Sequence, residues 1–103
     1  MKNEFNRDDA ANPFLEQQSE EPALYRVVVH NDDFTPLEFV VHLLERFFFM
    51  DRRKAADLTL EAHMNGRAVC GMFSRDLAES KVNQIIDYAR QHEHPLICSM
   101  EAA

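Results

Sequence analysis

Three side chains that accept hydrogen bonds are the residues of this chain best suited to binding chemistry: Asn31, Asp32 and His63. Asparagine and aspartate carry acceptor oxygens, and a neutral imidazole carries one acceptor nitrogen. An ammonium group offers three N–H donors and no acceptor, so three converging acceptors, one of them anionic, would complement it. The free α-amino group of a peptide, whose pKa is about 7.7–8, is largely protonated near neutral pH. The set therefore indicates recognition of a free N-terminus and rejection of an acylated one.

Each of these residues also has an ordinary structural explanation. Asn31 and Asp32 follow a β-branched run and are typical turn residues. A histidine late in a helix, such as His63, often bonds the last carbonyl groups. The binding interpretation therefore requires His63 to approach the loop that holds Asn31 and Asp32, which the spacing alone does not establish.

The spacing of the histidines and cysteines disfavours metal and nucleophile chemistry. His92 and His94 flank a single glutamate at a predicted helix end, and the chain holds no Cys-x-x-Cys or His-x-x-x-His pair. A nucleophilic pair of Cys70 and His63 would need a reactive thiol. Cys70 lies in an apolar run, where burial raises the pKa of a thiol and makes it inert. We therefore expect no metal site.

No other motif indicates catalysis or a cofactor. The chain has only two glycines, Gly66 and Gly71, which excludes a glycine-rich phosphate loop. Asp32 and Asp33 could form an acid–base pair, but adjacent carboxylates in a loop are more often solvated or capping groups. We predict that the protein is not an enzyme and has no catalytic residue, no metal and no cofactor.

Charge and hydropathy disfavour several classes of partner. The chain has 103 residues and a formal net charge of −7. Phosphate binding needs a basic face, so neither nucleic acid nor an anionic membrane surface is an expected partner. No apolar run approaches the roughly 20 residues of a membrane-spanning helix, and the N-terminus lacks a signal-peptide pattern. Cys70 and Cys98 lie in apolar runs typical of buried reduced thiols, so we expect a cytoplasmic protein.

The composition of the chain changes near Pro22. Residues 1–22 hold six acidic and two basic side chains, show no hydrophobic periodicity and contain few apolar residues. So few apolar groups cannot offset the entropy of ordering the segment. We predict a flexible, disordered acidic arm over residues 1–22 and one folded domain over residues 23–103, because the chain is too short for two cores.

Six predicted elements must position the candidate residues. The helix after the acceptor loop has a capping-box pattern, with Thr35 at the N-cap, Pro36 at the first helical position and Glu38 at the third. Hydrophobic periodicity and turn signals then predict the following elements. They are strands over residues 24–30, 67–73 and 96–100, and helices over residues 36–49, from Asp51 to about Asn65, and from Ser74 to about His92, with Gly66 as the stop of the second helix.

The order of these elements predicts the fold class. Three strands cannot hide both faces of a sheet, so the helices should cover one face. We expect an α+β fold, a small sandwich of a three-stranded antiparallel sheet with three helices in the order β-α-α-β-α-β.

The chain resembles the ClpS family, whose members are adaptors of the Clp AAA+ protease and recognise N-degrons. The resemblance covers about residues 23–101 in colinear order. Its most specific part is an Asn-Asp-Asp-x-Thr-Pro motif with a downstream His and Cys-Gly. The matching segments are residues 25–40 (YRVVVHNDDFTPLEFV), 62–63 (AH), 65–71 (NGRAVCG), 78–82 (AESKV), 88–90 (YAR) and 93–96 (EHPL).

The resemblance implies a role for each candidate residue. Asn31, Asp32 and His63 would bind the α-ammonium group of a substrate's first residue. Backbone groups near Asp33 and Thr35 would help to fix the peptide. The side chain of the first residue, which is Leu, Phe, Tyr or Trp in this family, would enter a pocket lined by Leu37, Val40, Thr59, Ala62 and Leu96.

The resemblance also implies a protein partner. A separate surface on the third helix would dock the N-terminal domain of a Clp AAA+ unfoldase, and Asp76, Glu79 and Lys81 fall at the family's positions there. The flexible arm would be needed to hand the substrate to the unfoldase. The expected function is therefore an adaptor that delivers proteins with a free bulky hydrophobic N-terminal residue for degradation. The alternative is a modulator that docks on an AAA+ unfoldase and regulates its substrate choice without selecting N-degrons.

Three pocket positions depart from the family pattern. Well-known members carry Met where this chain has Leu37, a gatekeeper that excludes β-branched first residues. They also carry larger apolar residues where this chain has Thr59 and Ala62. One methylene in a hydrophobic pocket changes selectivity by roughly 1–3 kcal/mol. We therefore expect a roomier or differently shaped pocket, whose preference among Leu, Phe, Tyr and Trp the sequence does not fix.

Overall fold

The computed structural model describes residues 23–103 and has the predicted element order, β-α-α-β-α-β. This part of the chain forms a three-stranded antiparallel sheet with three helices, as the sequence predicts. The arm predicted for residues 1–22 lies outside the described residues. The elements are β1 (Leu24–His30), α1 (Leu37–Phe48), α2 (Arg52–Asn65), β2 (Arg67–Ser74), α3 (Arg75–Gln91) and β3 (Ile97–Ala102).

The β-branched run of β1 forms the centre of the sheet. β1 pairs antiparallel with β2 on one side and with β3 on the other. Val27, Val28 and Val29 are at most 1% exposed, as expected for a central strand rich in β-branched residues. The β1–β2 register shifts between Val27 and Val28, so that Cys70 of β2 forms a bulge.

The hydrophobic core lies between the sheet and the three helices. Val27 and Val29 contribute to it from β1, together with buried residues of every helix. Several of the helical core residues are alanines, whose small side chains let a helix lie close to its neighbours. The buried helical residues are Val40, Val41, Leu43 and Leu44 on α1, Ala55, Thr59 and Ala62 on α2, and Ala78, Ile85 and Ala89 on α3.

The opposite side of the sheet carries an ion-pair cluster. The Glu101 carboxylate lies 2.6 Å from the Arg67 guanidinium and 3.8 Å from that of Arg26, and all three side chains are partly exposed. The hydrogen bond from Arg67 holds the pKa of Glu101 below its usual range. Because successive residues of a strand face opposite sides, Val28 lies on this outer side together with Arg26.

The start of α1 differs from the predicted capping box. Thr35 is not the N-cap. The helix begins at Leu37, and Pro36 is its N-cap with an extended backbone and no capping side chain. The Thr35 hydroxyl donates to the Asp32 carboxylate, a charged acceptor that makes a strong hydrogen bond, and Asp32 is the side chain that accepts from backbone amides at this turn. Glu38, displaced from the third helical position, accepts from the Arg52 guanidinium.

The other helix ends follow their predicted signals closely. The Asp51 carboxylate accepts from the Lys54 amide at 2.8 Å and caps α2, as predicted. Gly66, with φ of 96°, ends α2 in the left-handed conformation that favours glycine. Ser74 is the N-cap of α3, but its side chain makes no capping bond. α3 ends at Gln91, one residue earlier than predicted.

The last strand is displaced from its predicted position. β3 comprises Ile97–Ala102, whereas the sequence predicts residues 96–100. Leu96 precedes the strand and is 2% exposed, so its burial does not depend on the ladder. β2 extends one residue further than predicted, to Ser74, which pairs with Leu24.

Candidate functional site

One pocket lies where the end of β1, the acceptor loop, the start of α1 and the second half of α2 meet. Its empty volume is about 270 Å³, counting its open mouth. It brings together nine of the ten residues that the sequence assigned to substrate binding, and Asp33 is the exception. The lining consists of Val29, His30, Asn31, Asp32, Thr35, Leu37, Val40, Thr59, Ala62, His63 and Leu96.

A long-range hydrogen bond brings the acceptor loop to the end of α2. The backbone N–H of Asn31 donates to the Gly66 carbonyl at 2.9 Å. His30 and Arg67 are paired in the adjoining part of the β1–β2 ladder. The left-handed Gly66 lets the chain pass from α2 into β2 within one residue. His63, in the last turn of α2, therefore lines the same pocket as Asn31.

Asp32 organises the acceptor loop. Its Oδ1 accepts from the Phe34 amide at 2.8 Å and from the Thr35 amide at 3.2 Å, and its Oδ2 accepts from the Thr35 hydroxyl. A carboxylate offers about four acceptor positions, so these three bonds leave one on Oδ2. Asp32 can therefore hold the loop in place and still accept from an ammonium group.

Buried side chains form the deep wall of the pocket. Val40, Ala62 and Leu96 are at most 6% exposed and belong to the hydrophobic core. Thr59 is 3% exposed, and its hydroxyl donates to the Ala55 carbonyl one turn back along α2, at 2.7 Å. The wall of the pocket is thus also part of the core that holds the helices to the sheet.

Two lining residues were missed by sequence reasoning. Val29 is in the core, and its alternation with Val27 along β1 is the signal that could have identified it. His30 adjoins the acceptor loop, and its Nε2 lies 2.7 Å from the Ser99 hydroxyl on β3, a contact that no sequence signal predicts. Asp33 is exposed and lies outside the lining.

The two thiols are poorly suited to nucleophilic chemistry. Cys70 and Cys98 are both buried and free of disulfide bonds, as the sequence predicts. Burial raises the pKa of each thiol to about 12. The reactive thiolate is therefore scarce near neutral pH, which argues against a pair of Cys70 and His63 as a hydrolytic centre.

The residues predicted to dock an unfoldase lie on α3, away from the pocket lining. Asp76 and Glu79 are exposed near the start of the helix. Lys81 is partly buried, and its ammonium group donates to the Phe47 carbonyl at the end of α1 at 2.5 Å. The same ammonium group lies 5.6 Å from the Phe48 ring centre and 5.5 Å from the Phe49 ring centre. Lys81 therefore also stabilises the carboxyl end of α1.

Two negative findings apply to residues 23–103. Across this range, no three His, Cys, Asp or Glu side chains are arranged so that they could hold a metal ion. No helix within the same range combines the length and the apolar character needed to cross a membrane.

Comparisons with known proteins place this chain in a family. A family model described as ATP-dependent Clp protease adaptor protein ClpS matches residues 20–99. An ATP-dependent Clp protease adapter protein ClpS from Alkalilimnicola ehrlichii is 52% identical over 86 residues, covering 84% of this chain and 81% of that protein. A ClpS from Roseobacter denitrificans is 46% identical over 104 residues, covering 98% of this chain and 92% of that protein.

A solved structure extends the similarity to three dimensions. Agrobacterium tumefaciens ClpS2 bound to L-phenylalaninamide matches with a TM-score of 0.79 and 35% sequence identity. The match covers 81% of this chain and all of that one. The solved structure agrees with the fold, and the family model and the relatives agree with the family resemblance. The chain belongs to the ClpS family of ATP-dependent Clp protease adaptor proteins.

Proposed function

We propose that the pocket binds the first residue of substrate proteins that have a free α-amino group and a bulky hydrophobic side chain, Leu, Phe, Tyr or Trp. The chain then delivers these proteins to a Clp AAA+ unfoldase–protease for degradation. The observation that carries the proposal is the convergence of Asn31, Asp32 and His63 on one pocket with a buried wall. L-phenylalaninamide, the ligand of Agrobacterium tumefaciens ClpS2, likewise combines a free α-amine with an apolar side chain.

The acceptors at the mouth supply recognition of charge. Asn31 and His63 are exposed and Asp32 is partly exposed, so a ligand can reach all three from solvent. The ammonium donors of the ligand are matched by an amide oxygen, a carboxylate oxygen and an imidazole nitrogen. A hydrogen bond to a charged group contributes about 1.5–3 kcal/mol, more than one between neutral groups. The charge of the free amine is therefore the feature that the mouth selects.

The deep wall supplies recognition of the side chain. Val40, Ala62 and Leu96 present apolar surface to the pocket and are held in place by the core. Full burial of a Leu or Phe side chain is worth about 1.5–3 kcal/mol. That free energy corresponds to roughly ten- to hundredfold in affinity. A small or charged first residue would not gain this free energy of burial.

Delivery uses a second surface. Asp76, Glu79 and Lys81 on α3 dock the N-terminal domain of the unfoldase, and the arm of residues 1–22 takes part in handing over the substrate. The exposure of Asp76 and Glu79 supports this role, since neither side chain packs in the hydrophobic core. The docking surface and the pocket lining share no residue, so substrate and unfoldase can be bound at the same time.

The chain acts by binding alone and works in the cytoplasm. We assign no catalytic residue, no metal and no cofactor, and neither nucleic acid nor a membrane is a partner. The high pKa of both thiols supports this assignment, because the remaining candidate nucleophile, Cys70, is protonated at neutral pH. The formal charge of −7 supports the exclusion of nucleic acid.

Peptide titration with and without a blocked amine tests the proposal. A peptide that begins with Phe should bind when its α-amine is free and should not bind measurably after N-acetylation, because acetylation removes the charge and two of the three donors. The two peptides are otherwise identical, so the burial of the Phe side chain is the same in both and cannot account for a difference in affinity. Comparable affinity after acetylation would refute this mode of recognition. Unfoldase binding without any peptide affinity would favour the alternative, a modulator that does not select N-degrons.

A further inference from the structure

Thr59 is a polar residue in the buried wall of the pocket. It is 3% exposed, while Val40, Ala62 and Leu96 supply apolar surface around it. Its hydroxyl oxygen lies 2.7 Å from the Ala55 carbonyl oxygen. A carbonyl can only accept, so the hydroxyl hydrogen must be the one that is donated. The donor of Thr59 is therefore already used within α2.

The same hydroxyl oxygen keeps its capacity to accept. A hydroxyl group has one donor and two acceptor lone pairs. Among residues 23–103, no protein group donates a hydrogen bond to Thr59 Oγ1. The hydroxyl is satisfied by its bond to Ala55, and a ligand donor that reaches its free lone pairs would add a second hydrogen bond. The other threonine of the pocket, Thr35, also donates its hydrogen internally, to Asp32. Neither hydroxyl therefore has a hydrogen to offer a ligand. Both oxygens can still accept one, and Thr59 is the one that lies in the deep wall.

The position of Thr59 along α2 fits the length of an aromatic side chain. Thr59 and His63 are four residues apart and lie on one face of the helix, separated by about 6 Å along its axis. His63 is exposed and Thr59 is buried, so this span runs from the mouth into the pocket. A tyrosine whose α-amine is held at His63 has its hydroxyl about this far from its Cα. A ring that runs alongside α2 would therefore bring its terminal donor to the level of Thr59.

We propose that Thr59 is a specificity-determining residue, whose hydroxyl oxygen accepts from a donor on the aromatic ring of the first residue and so favours Tyr over Phe. The inference rests on the proposed function, since it takes the amine to be held by Asn31, Asp32 and His63. It assigns a preference for Tyr over Phe, whereas the sequence leaves the order among Leu, Phe, Tyr and Trp open. Trp, whose ring carries an N–H, shares the advantage where that N–H reaches the oxygen.

The test compares Tyr and Phe peptides on two variants at this position. Thr59→Val keeps the shape of the side chain and removes the hydroxyl, and Thr59→Ser keeps the hydroxyl and removes the methyl group. The wild-type protein should bind the Tyr peptide more tightly than the Phe peptide, by roughly two- to tenfold for one net hydrogen bond. Thr59→Val should abolish or reverse this ratio, which compares two peptides on the same variant and so does not depend on the variant's overall affinity. Thr59→Ser should preserve the ratio.

A change on the ligand keeps the test decisive if a variant folds poorly. A peptide that begins with 4-fluorophenylalanine is close to Tyr in size but has no donor. The wild-type protein should bind it as it binds the Phe peptide. Equal binding of the fluorinated and Tyr peptides, or a Tyr/Phe ratio that is unchanged in Thr59→Val, would overturn the role of the oxygen. Failure of the wild-type protein to bind any free-amine peptide would instead refute the proposed function.

Discussion

The mouth and the deep wall of the pocket are built by different interactions. At the mouth, Asn31 and His63 are exposed and lie outside the hydrophobic core. Hydrogen bonds hold this region in place, and one of them runs from the backbone N–H of Asn31 to the Gly66 carbonyl. In the wall, Val40 and Leu96 are buried members of the core. The side chains of Asn31 and His63 can therefore change with little effect on the fold, whereas the shape of the wall is tied to the packing of the whole domain.

The largest effect is expected at the mouth. Asp32→Ala removes the anionic partner of the ammonium group, and a charge-assisted bond of about 1.5–3 kcal/mol corresponds to a loss of roughly ten- to hundredfold in affinity. Asp32→Asn keeps the shape of the side chain and removes its charge, so it should also bind weakly. Asp32→Ala should also lower thermal stability, because the loop loses the three hydrogen bonds that Asp32 accepts, whereas Asp32→Asn keeps an acceptor oxygen and should lower it less. Titration with a free-amine Phe peptide measures the loss.

Asp33 provides the matched control for this prediction. It is a neighbouring carboxylate that is exposed and lies outside the pocket lining. Asp33→Ala removes the same charge from the loop and should leave peptide affinity nearly unchanged. Equal losses in Asp32→Ala and Asp33→Ala would mean that the general negative potential of the loop attracts the peptide, and that Asp32 makes no specific bond.

An intermediate effect is expected at the wall. Leu37→Met changes the shape of the side chain to that of well-known family members, and Ala62→Val restores the bulk that they have at this position. Each should shift the preference among Leu, Phe, Tyr and Trp peptides by roughly 1–3 kcal/mol. Ala62 is 5% exposed and Leu37 is 41% exposed. Only Ala62→Val should therefore alter thermal stability as well, because overpacking strains a core.

The outcome at Leu37 and Ala62 would show which part of the pocket selects the side chain of the first residue. A preference profile that neither Leu37→Met nor Ala62→Val changes would show that the pocket does not select by shape. A profile changed by Leu37→Met alone would place the selection at the exposed side of the pocket. The peptides in this series differ only at the first residue, so their contacts with the acceptor loop stay constant.

The smallest effect is expected on the outer side of the sheet. The pKa of Glu101 is lowered in the folded protein by Arg67, so the carboxylate contributes stability above its unfolded pKa, and this contribution is lost as the pH falls through its folded pKa. Glu101→Gln should lower the melting temperature slightly at pH 7 and make no difference in strong acid. Added salt should reduce the difference. Peptide affinity should be unaffected, and a change in it would connect this side of the sheet to the pocket.

Local signals predicted most of the fold. The strand over Leu24 to His30 and the helix from the Asp51 cap to Asn65 were placed correctly, because alternation, a capping carboxylate and a terminal glycine are all local. The start of α1 was wrong by one residue. Propensity favoured Thr35 as a capping acceptor for a helix amide, and it could not show that the Thr35 hydroxyl would donate to the Asp32 carboxylate.

The site was harder to predict than the fold because it depends on contacts distant in sequence. Asn31 and Gly66 are 35 positions apart, and only the pairing of β1 with β2 brings them together. The approach of His63 to the acceptor loop follows from that pairing. The choice of pocket residues came from the family resemblance, which carries tertiary information that spacing lacks. Thr59 shows the limit of both, since its unused acceptor became visible only with its bond to Ala55.

The buried thiols make this protein a convenient scaffold for chemical labelling. Cys70 and Cys98 are its only cysteines, and each thiol has a pKa raised to about 12. A cysteine introduced on the surface would supply nearly all of the thiolate at neutral pH, so a maleimide dye would attach at that one position. Met64 is 78% exposed and adjoins His63. A dye at Met64→Cys would sit beside the mouth and report peptide binding as a fluorescence change, with both native cysteines left in place.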